Sequence, residues 1–357
     1  RAAYHRDMTD PGSSLPGRGA TADLGATYVS TGHLPRDEWV REVVAACHAE
    51  VATVDAGRVS TVYPALAQAD PSLFGIAVIG VDGHEFVAGD VDVPFALMSV
   101  AKPFVFALAS ARLGVDGVVD HVGVDATGRP FNSLAAVEHS PDGRTNPMVN
   151  SGAIACTGLF LGRNRDFTVD AAWDELRAGL SAFAGRDLSL DDGIHDSARA
   201  TNQRNRALGQ LLHSLGRLDD PDGAVDLYTR QSSLAVTARD LAVMGATLAD
   251  GGVNPVTGVA VVSPQVAART LAVMTTAGMY ETSGEWLVRV GLPGKSGIGG
   301  GIVTAAPGKG GLGTFSPPLD AAGNSVRGIL AAERLSRTLG LDLFGSAALV
   351  PDGRGRR

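Results

Sequence analysis

Lysine is nearly absent from this 357-residue chain: of its 30 basic residues only Lys102, Lys295 and Lys309 are lysines. Arginine serves as well wherever surface charge suffices, but it never gives up its proton in a protein, whereas a desolvated lysine does. A lysine retained against that bias marks a place where a deprotonable amine is useful. Cysteine is scarcer still. Cys47 and Cys156 sit in apolar helical contexts, which implies two buried free thiols and excludes a disulfide framework or a thiolate metal site. No apolar run reaches the roughly 20 residues of a membrane span, and no signal-peptide core opens the chain, so the cytoplasm is the expected compartment. Metal-ligand spacing is missing as well. His195 and His213 fall on or near helices and read as surface or core-edge residues, so neither a metal nor another cofactor is expected. A net charge of −8 gives no basic face for nucleic acid or an anionic membrane. No Gly-x-Ser-x-Gly elbow surrounds any serine, which leaves a Ser-His-Asp triad without support.

What remains is an apolar share of 45% and 46 glycines, the composition of a loop-rich α/β enzyme with a large core. Residues 1–30 lack periodicity and read as a flexible arm. Pro35 opens a helix to about Asp55, with Trp39, Val43, Val44, Cys47 and Val51 on one face. Phe74–Val81 and His84–Ala88 flank Asp82-Gly83, a hairpin signal. An apolar helix follows Ser99 and ends at Gly114. Helices are expected over 154–161, 169–184, 204–215 and 237–249, the last capped by Thr237. Strands return from about Trp286, notably at 300–306 and 311–315, before a last helix over 325–339. Strands at both ends of a helical middle predict an α/β (α+β) fold. Its sheet is drawn from about 60–100 and 286–342, with a mostly helical insertion at about 115–255. The catalytic domain is expected to span 31–345, with 346–357 a flexible tail.

The chemistry concentrates in two places. Ser99 and Lys102, in Ser-Val-Ala-Lys, share one face of a helix start, so an amine leans over a hydroxyl. Far downstream, Lys295-Ser296-Gly297 lies among glycines that let backbone N–H groups approach a developing oxyanion. Ser-x-x-Lys with a later Lys-Ser/Thr-Gly is the arrangement of serine acyl-transfer enzymes of the β-lactamase and penicillin-binding type. A phosphate-binding P-loop ending at Gly294-Lys295-Ser296 is excluded, because Arg289 stands where its first glycine belongs. Lysine starts near pKa 10.4, and lowering Lys102 by about three units needs burial and a second cation, for which Lys295 is the candidate. Tyr228 and Tyr280, in apolar, motif-like settings, are alternative proton carriers.

With these pieces assembled, the chain resembles the serine-dependent glutaminases from about Pro35 to Leu343. The matching stretches include Ser-Val-Ala-Lys at 99–102, Gly-Arg-Pro-Phe-Asn at 128–132 and Asn-Pro-Met-Val-Asn-Ser-Gly-Ala at 146–153. Others are Gln-Arg-Asn at 203–205, Asp-Leu-Tyr at 226–228, Gly-Met-Tyr at 278–280 and Gly-Leu-Pro-Gly-Lys-Ser-Gly at 291–297. The resemblance implies a β-lactamase-like fold and amide hydrolysis through an acyl-serine. It assigns Ser99 as nucleophile, Lys102 as its activating partner, Tyr280 as proton-transfer group with Tyr228 beside it, and Lys295 as further catalytic residue. The N–H groups of Ser99 and Ile298 would form the oxyanion hole. Asn132 and Asn205 match positions that hold the substrate head group, and Ser296 joins them.

Three positions depart from the family. Met98 replaces the glutamine usual before the nucleophile. Ala198 aligns with a glutamate that faces the substrate ammonium, and Asp196 lies two residues before it. Val62 stands at a tyrosine position, with Tyr63 one residue away. L-Glutamine is the substrate that the resemblance implies, and these departures open the alternative of a related amide or ester in a specialised pathway. Transfer of the acyl group to another nucleophile belongs with that alternative, and a non-catalytic binding protein on this scaffold is a third reading. The expected partner is a small carboxamide, without nucleic acid or membrane; a homo-oligomer, dimer or tetramer, is compatible with the sequence.

Overall fold

The computed structural model of the chain describes residues 32–162 and 167–345. The expected N-terminal arm and C-terminal tail lie outside the described residues. In chain order the helices are α1 Asp37–Val51, α2 Ala101–Leu113, α3 Val115–Val122, α4 Leu134–Glu138, α5 Asn150–Gly158, α6 Val169–Ala184 and α7 Asp192–Thr201. They continue as α8 Gln203–Ser214, α9 Pro221–Ser232, α10 Ala238–Ala249, α11 Pro264–Ala277, α12 Ser283–Val290 and α13 Val326–Thr338. The strands are β1 Gly75–Gly80, β2 Glu85–Gly89, β3 Phe95–Ala96, β4 Ala235–Val236, β5 Gly294–Ser296, β6 Gly301–Ala306 and β7 Gly310–Phe315.

Five strands form one antiparallel sheet in the order β2-β1-β7-β6-β5, so the N-terminal hairpin is joined to the C-terminal strands through β1 and β7. This is the α+β sheet from both chain ends that the sequence implies. β1 reads as one apolar run because both its faces are covered. Ile76 and Val78 pack with Val40, Ile302 and Leu335 on one side, whereas Ala77 and Ile79 belong to the larger core on the other. Helices α1 and α13 cover the first face. Helix α10 lies on the second, closely enough that a Cβ at Gly313 would meet the carbonyl of Ala238. Glycine on β7 is therefore a packing requirement.

Several local expectations change. Trp39 is 46% exposed, and Val40 opens the buried stripe of α1, because 40, 43, 44, 47 and 51 keep the helical period and 39 falls on its edge. Trp286 does not begin a strand. It sits in α12, where Trp286 and Val290 make a buried i, i+4 pair while Val288 is exposed. Helix α10 closes the expected helical insertion but packs on the sheet. The helix expected from Ile154 begins at Asn150, and this four-residue extension has chemical consequences. Cys47 and Cys156 are both free and buried as expected, and burial raises their thiols to about 11 and about 12.

Candidate active site

Ser99 is the middle residue of a tight turn, Met98–Val100, that runs directly into α2. Met98 holds φ at 48°, a left-handed conformation that costs a non-glycine residue on the order of 1 kcal/mol. That strain sits one residue before the hydroxyl it aims. Beyond β5 the chain turns through Gly297, where a Cβ would stand 3.3 Å from the Ser99 nitrogen. Among the described turn and loop hydrogen bonds, neither the Ser99 nor the Ile298 N–H has a backbone acceptor. The two donors expected of an oxyanion hole thus come from adjoining segments.

Lys102 is fully buried at the start of α2, three residues beyond Ser99. Its Nζ donates to Asn150 Oδ1 at 2.7 Å and lies 6.0 and 5.8 Å from the ring centres of Phe131 and Tyr228. Burial lowers its pKa from 10.5 to about 7, because charging an amine among aromatic rings forfeits its hydration. Lys295 is also fully buried, and its pKa is pushed well below 10.5 by burial and then by the nearby Lys102. Its Nζ donates to the Ser296 carbonyl at 2.6 Å and lies 4.1 Å from the centre of the Tyr280 ring. The expected help of Lys295 in lowering Lys102 is not seen: burial alone lowers Lys102, and the charge effect runs the other way, from Lys102 onto Lys295.

Both tyrosines reach the same place. Tyr228 donates to Asn150 Oδ1 at 3.1 Å, and Tyr280 donates to the Ser296 carbonyl at 3.0 Å. Burial raises both phenols above the usual value, opposed by a hydrogen bond each makes with Ser99. At neutral pH they are therefore O–H donors, and the buried amine of Lys102 is the better proton acceptor. Tyr280, like Met98, has positive φ, 55°; the Ser283 hydroxyl donates to its carbonyl at 2.8 Å and steadies it.

Asn150 is the residue that sequence reasoning overlooked. Its Oδ1 accepts from Lys102 and Tyr228, and its Nδ2 donates to Asn205 Oδ1 at 2.9 Å. Tyr63 hydrogen-bonds to Asn205 in turn, so one polar chain links the amine to the expected head-group side. The signal was a polar residue at the start of an apolar helix, inside a stretch already singled out. A small cavity of about 90 Å³ opens over Ser99. Tyr63, Met98, Asn132, Asn205, Tyr228 and Ile298 border it as expected, and Phe131, Asn150, Asn202 and Arg204 join them unforeseen. Val62 is at its edge. Ala198 is buried within α7 and does not border the cavity; Thr201 and Asn202, at the end of that helix, do. Ser296 contributes its carbonyl, while its own hydroxyl is buried without a partner.

An antiparallel sheet whose edge strand carries Lys-Ser-Gly, facing Ser-x-x-Lys at the head of a buried helix, defines the serine-dependent β-lactamase-like superfamily. A family model described as Glutaminase matches residues 57–344. The chain is 57% identical over 318 residues to Glutaminase 2 of Yersinia pestis, covering 89% of this chain and 92% of that protein. It is 48% identical to Glutaminase 2 of Bradyrhizobium diazoefficiens, covering 87% of this chain and 49% of that longer relative. Among solved structures, the probable glutaminase ybaS superposes with a TM-score of 0.84 at 39% identity, covering 87% of this chain and all of that one. A structure of Mglu in its tris and glutamate form superposes with a TM-score of 0.82 at 38% identity, covering 87% and 68%. The chain belongs to the glutaminase family. Among the described residues no helix is long and apolar enough to cross a membrane.

Proposed function

We propose that this enzyme hydrolyses L-glutamine to glutamate and ammonia through an acyl-serine. The observation that carries the reading is the buried Lys102 amine, brought to about 7 by burial and held by Asn150, one helical turn from Ser99. Neutral Lys102 takes the Ser99 proton as Oγ attacks the carboxamide carbon. The N–H groups of Ser99 and Ile298 receive the oxyanion. The proton reaches the departing nitrogen through Tyr280 or Tyr228, so the C–N bond breaks to release ammonia and leaves the acyl-serine. Water then attacks that ester, its proton passing to the amine, and Ser99 recovers its hydroxyl as glutamate leaves. Named glutaminases at up to 57% identity, and a structural relative described in a glutamate form, favour this substrate.

One observation favours a second reading. Among the described residues that border the cavity none is acidic, and Arg204 is the one charged side chain. A buried ammonium without a carboxylate costs several kcal/mol, so an amide or ester whose acyl group lacks that ammonium fits these walls. An ammonia-release assay comparing L-glutamine with its deamino analogue, glutaramate, separates the two. Turnover of glutamine at about 1 per second or faster, with glutaramate slower, supports the first reading; the reverse preference overturns it.

A further inference from the structure

Arg204 borders the cavity over Ser99 from the first turn of α8, next to Asn205, and is exposed to solvent. Its Nε donates to the Asn132 carbonyl at 2.6 Å. The preceding carbonyl, that of Phe131, accepts from the buried Asn150 N–H at 2.7 Å. One short piece of backbone thus ties Arg204 to Asn150, the acceptor of the Lys102 amine. With Nε committed, the two terminal nitrogens remain, a planar pair of donors that matches the two oxygens of a carboxylate. Among the described residues no acid pairs with them.

The neighbouring walls add donors and no acid. Half-buried Asn132 borders the cavity, and its side-chain amide has no hydrogen bond among the described residues. Asn205 Oδ1 accepts from Asn150 at 2.9 Å. The Asn205 atom left for Tyr63 is therefore Nδ2, so the Tyr63 oxygen accepts and its O–H stays free to donate into the cavity. Met98, Phe131 and Ile298 give the same cavity apolar surface suited to a methylene chain. A cleft with one sign of charge and several donors concentrates anions of the opposite sign.

We propose that Arg204 is a specificity-determining residue of this site. It takes a carboxylate at the end of the substrate remote from the carboxamide, with Asn132 and Tyr63 as its other donors. The site then selects amides that carry such a carboxylate over amides whose chain end is uncharged. The proposal rests on the cavity over Ser99 being the substrate site. It holds for L-glutamine and for glutaramate alike, since both carry that carboxylate.

Glutaramate and pentanamide test it, because they share one chain and a methyl replaces the carboxylate in pentanamide. Isothermal titration uses the full chain with Ser99→Ala, which forms no acyl-serine. Glutaramate binds it at least about tenfold more tightly than pentanamide does. Adding Arg204→Gln costs about tenfold for glutaramate and leaves pentanamide unchanged. In the active enzyme Arg204→Gln raises KM for the carboxylate-bearing substrate about tenfold with kcat nearly constant, as expected of uniform binding. Raising salt from about 0.05 to about 0.5 M weakens glutaramate alone, a readout that needs no Arg204 variant. Equal losses for both ligands make Arg204 structural and overturn the proposal. So does glutaramate binding that neither the substitution nor salt weakens, or its absence at tens of millimolar. Arg204-dependent binding without ammonia release from any carboxamide overturns the hydrolytic reading and supports this one.

Discussion

Lys102 and Asn150 stand 48 residues apart in sequence, and their side chains meet at 2.7 Å in the buried centre of the molecule. The amide oxygen accepts from the amine without adding charge, so burial governs the proton affinity of Lys102. Replacing that oxygen by a carboxylate reverses the balance. Asn150→Asp raises the Lys102 pKa, because an adjacent anion favours the ammonium by about 1–3 units. The acid limb of kcat/KM then moves to higher pH by at least about one unit, with part of the activity regained near pH 9. A lower plateau with an unmoved limb would show that Asn150 acts by position alone.

The native pH profile carries its own test. With Lys102 titrating at about 7, the base-competent amine falls about tenfold per pH unit below that value and saturates above it. Steady-state kcat/KM in buffers from pH 5.5 to 9 should trace this rise and plateau. A rise centred near 10 would mean that burial does not lower the Lys102 amine.

The same burial sets a stability slope. The folded-state pKa of Lys102 is about 7 against 10.5 when exposed, so above 7 the unfolded chain holds a proton that the folded chain has released. Stability therefore rises with pH across 7–8.5, by up to about 1.4 kcal/mol per unit. Lys295, shifted in the same direction, adds to it. Denaturant unfolding of Lys102→Met, in which Tyr228 still donates to Asn150, should show a shallower slope and no activity. An equal slope in the variant would mean that Lys102 is charged in the folded protein.

Tyr280→Phe removes one O–H that donates to the Ser296 carbonyl and hydrogen-bonds with Ser99. The ring keeps its contact with Phe131 at 4.8 Å, so the fold persists. Loss of a positioned proton carrier predicts a fall in kcat of about 100-fold or more with KM little changed. A change confined to KM would make Tyr280 a binding residue.

The sheet offers a structural test. Gly313→Ala drives a methyl into the Ala238 carbonyl of α10, and thermal unfolding should register a loss of about 2–3 kcal/mol. Gly284→Ala, where a Cβ meets nothing within 4 Å and the residue is helical, should gain about 0.5–1 kcal/mol. Equal and small effects at both would mean that α10 does not rest on β7.

Much of this was legible before any coordinates. The short apolar runs on either side of the Asp82-Gly83 turn are local properties, and the β1–β2 hairpin follows from them. The capping pair Thr237 and Asp240 fixes the start of α10 in the same way. Trp39 and Trp286 were misplaced because a large apolar residue satisfies two patterns until its neighbours' burial is known. Asn150 escaped because its value lies in partners from α2, α8 and α9, none of them close in the chain. Ala198 shows the same limit in reverse, since alignment assigned it to the pocket and α7 buries it in a wall the pocket does not touch.

The sequence by itself determined the candidate reacting groups. Ser99 and Lys102 are joined by one helical turn, Lys295 and Ser296 by one peptide bond, and geometry over so few bonds leaves little freedom. Tertiary structure decided how those groups titrate and what surrounds them. Whether an amine loses its water, which oxygen it finds and which walls enclose its neighbour are set by packing between distant segments. For that reason the pKa of Lys102, the Asn150 bridge and the acid-free cavity over Ser99 appear only when the chain is folded.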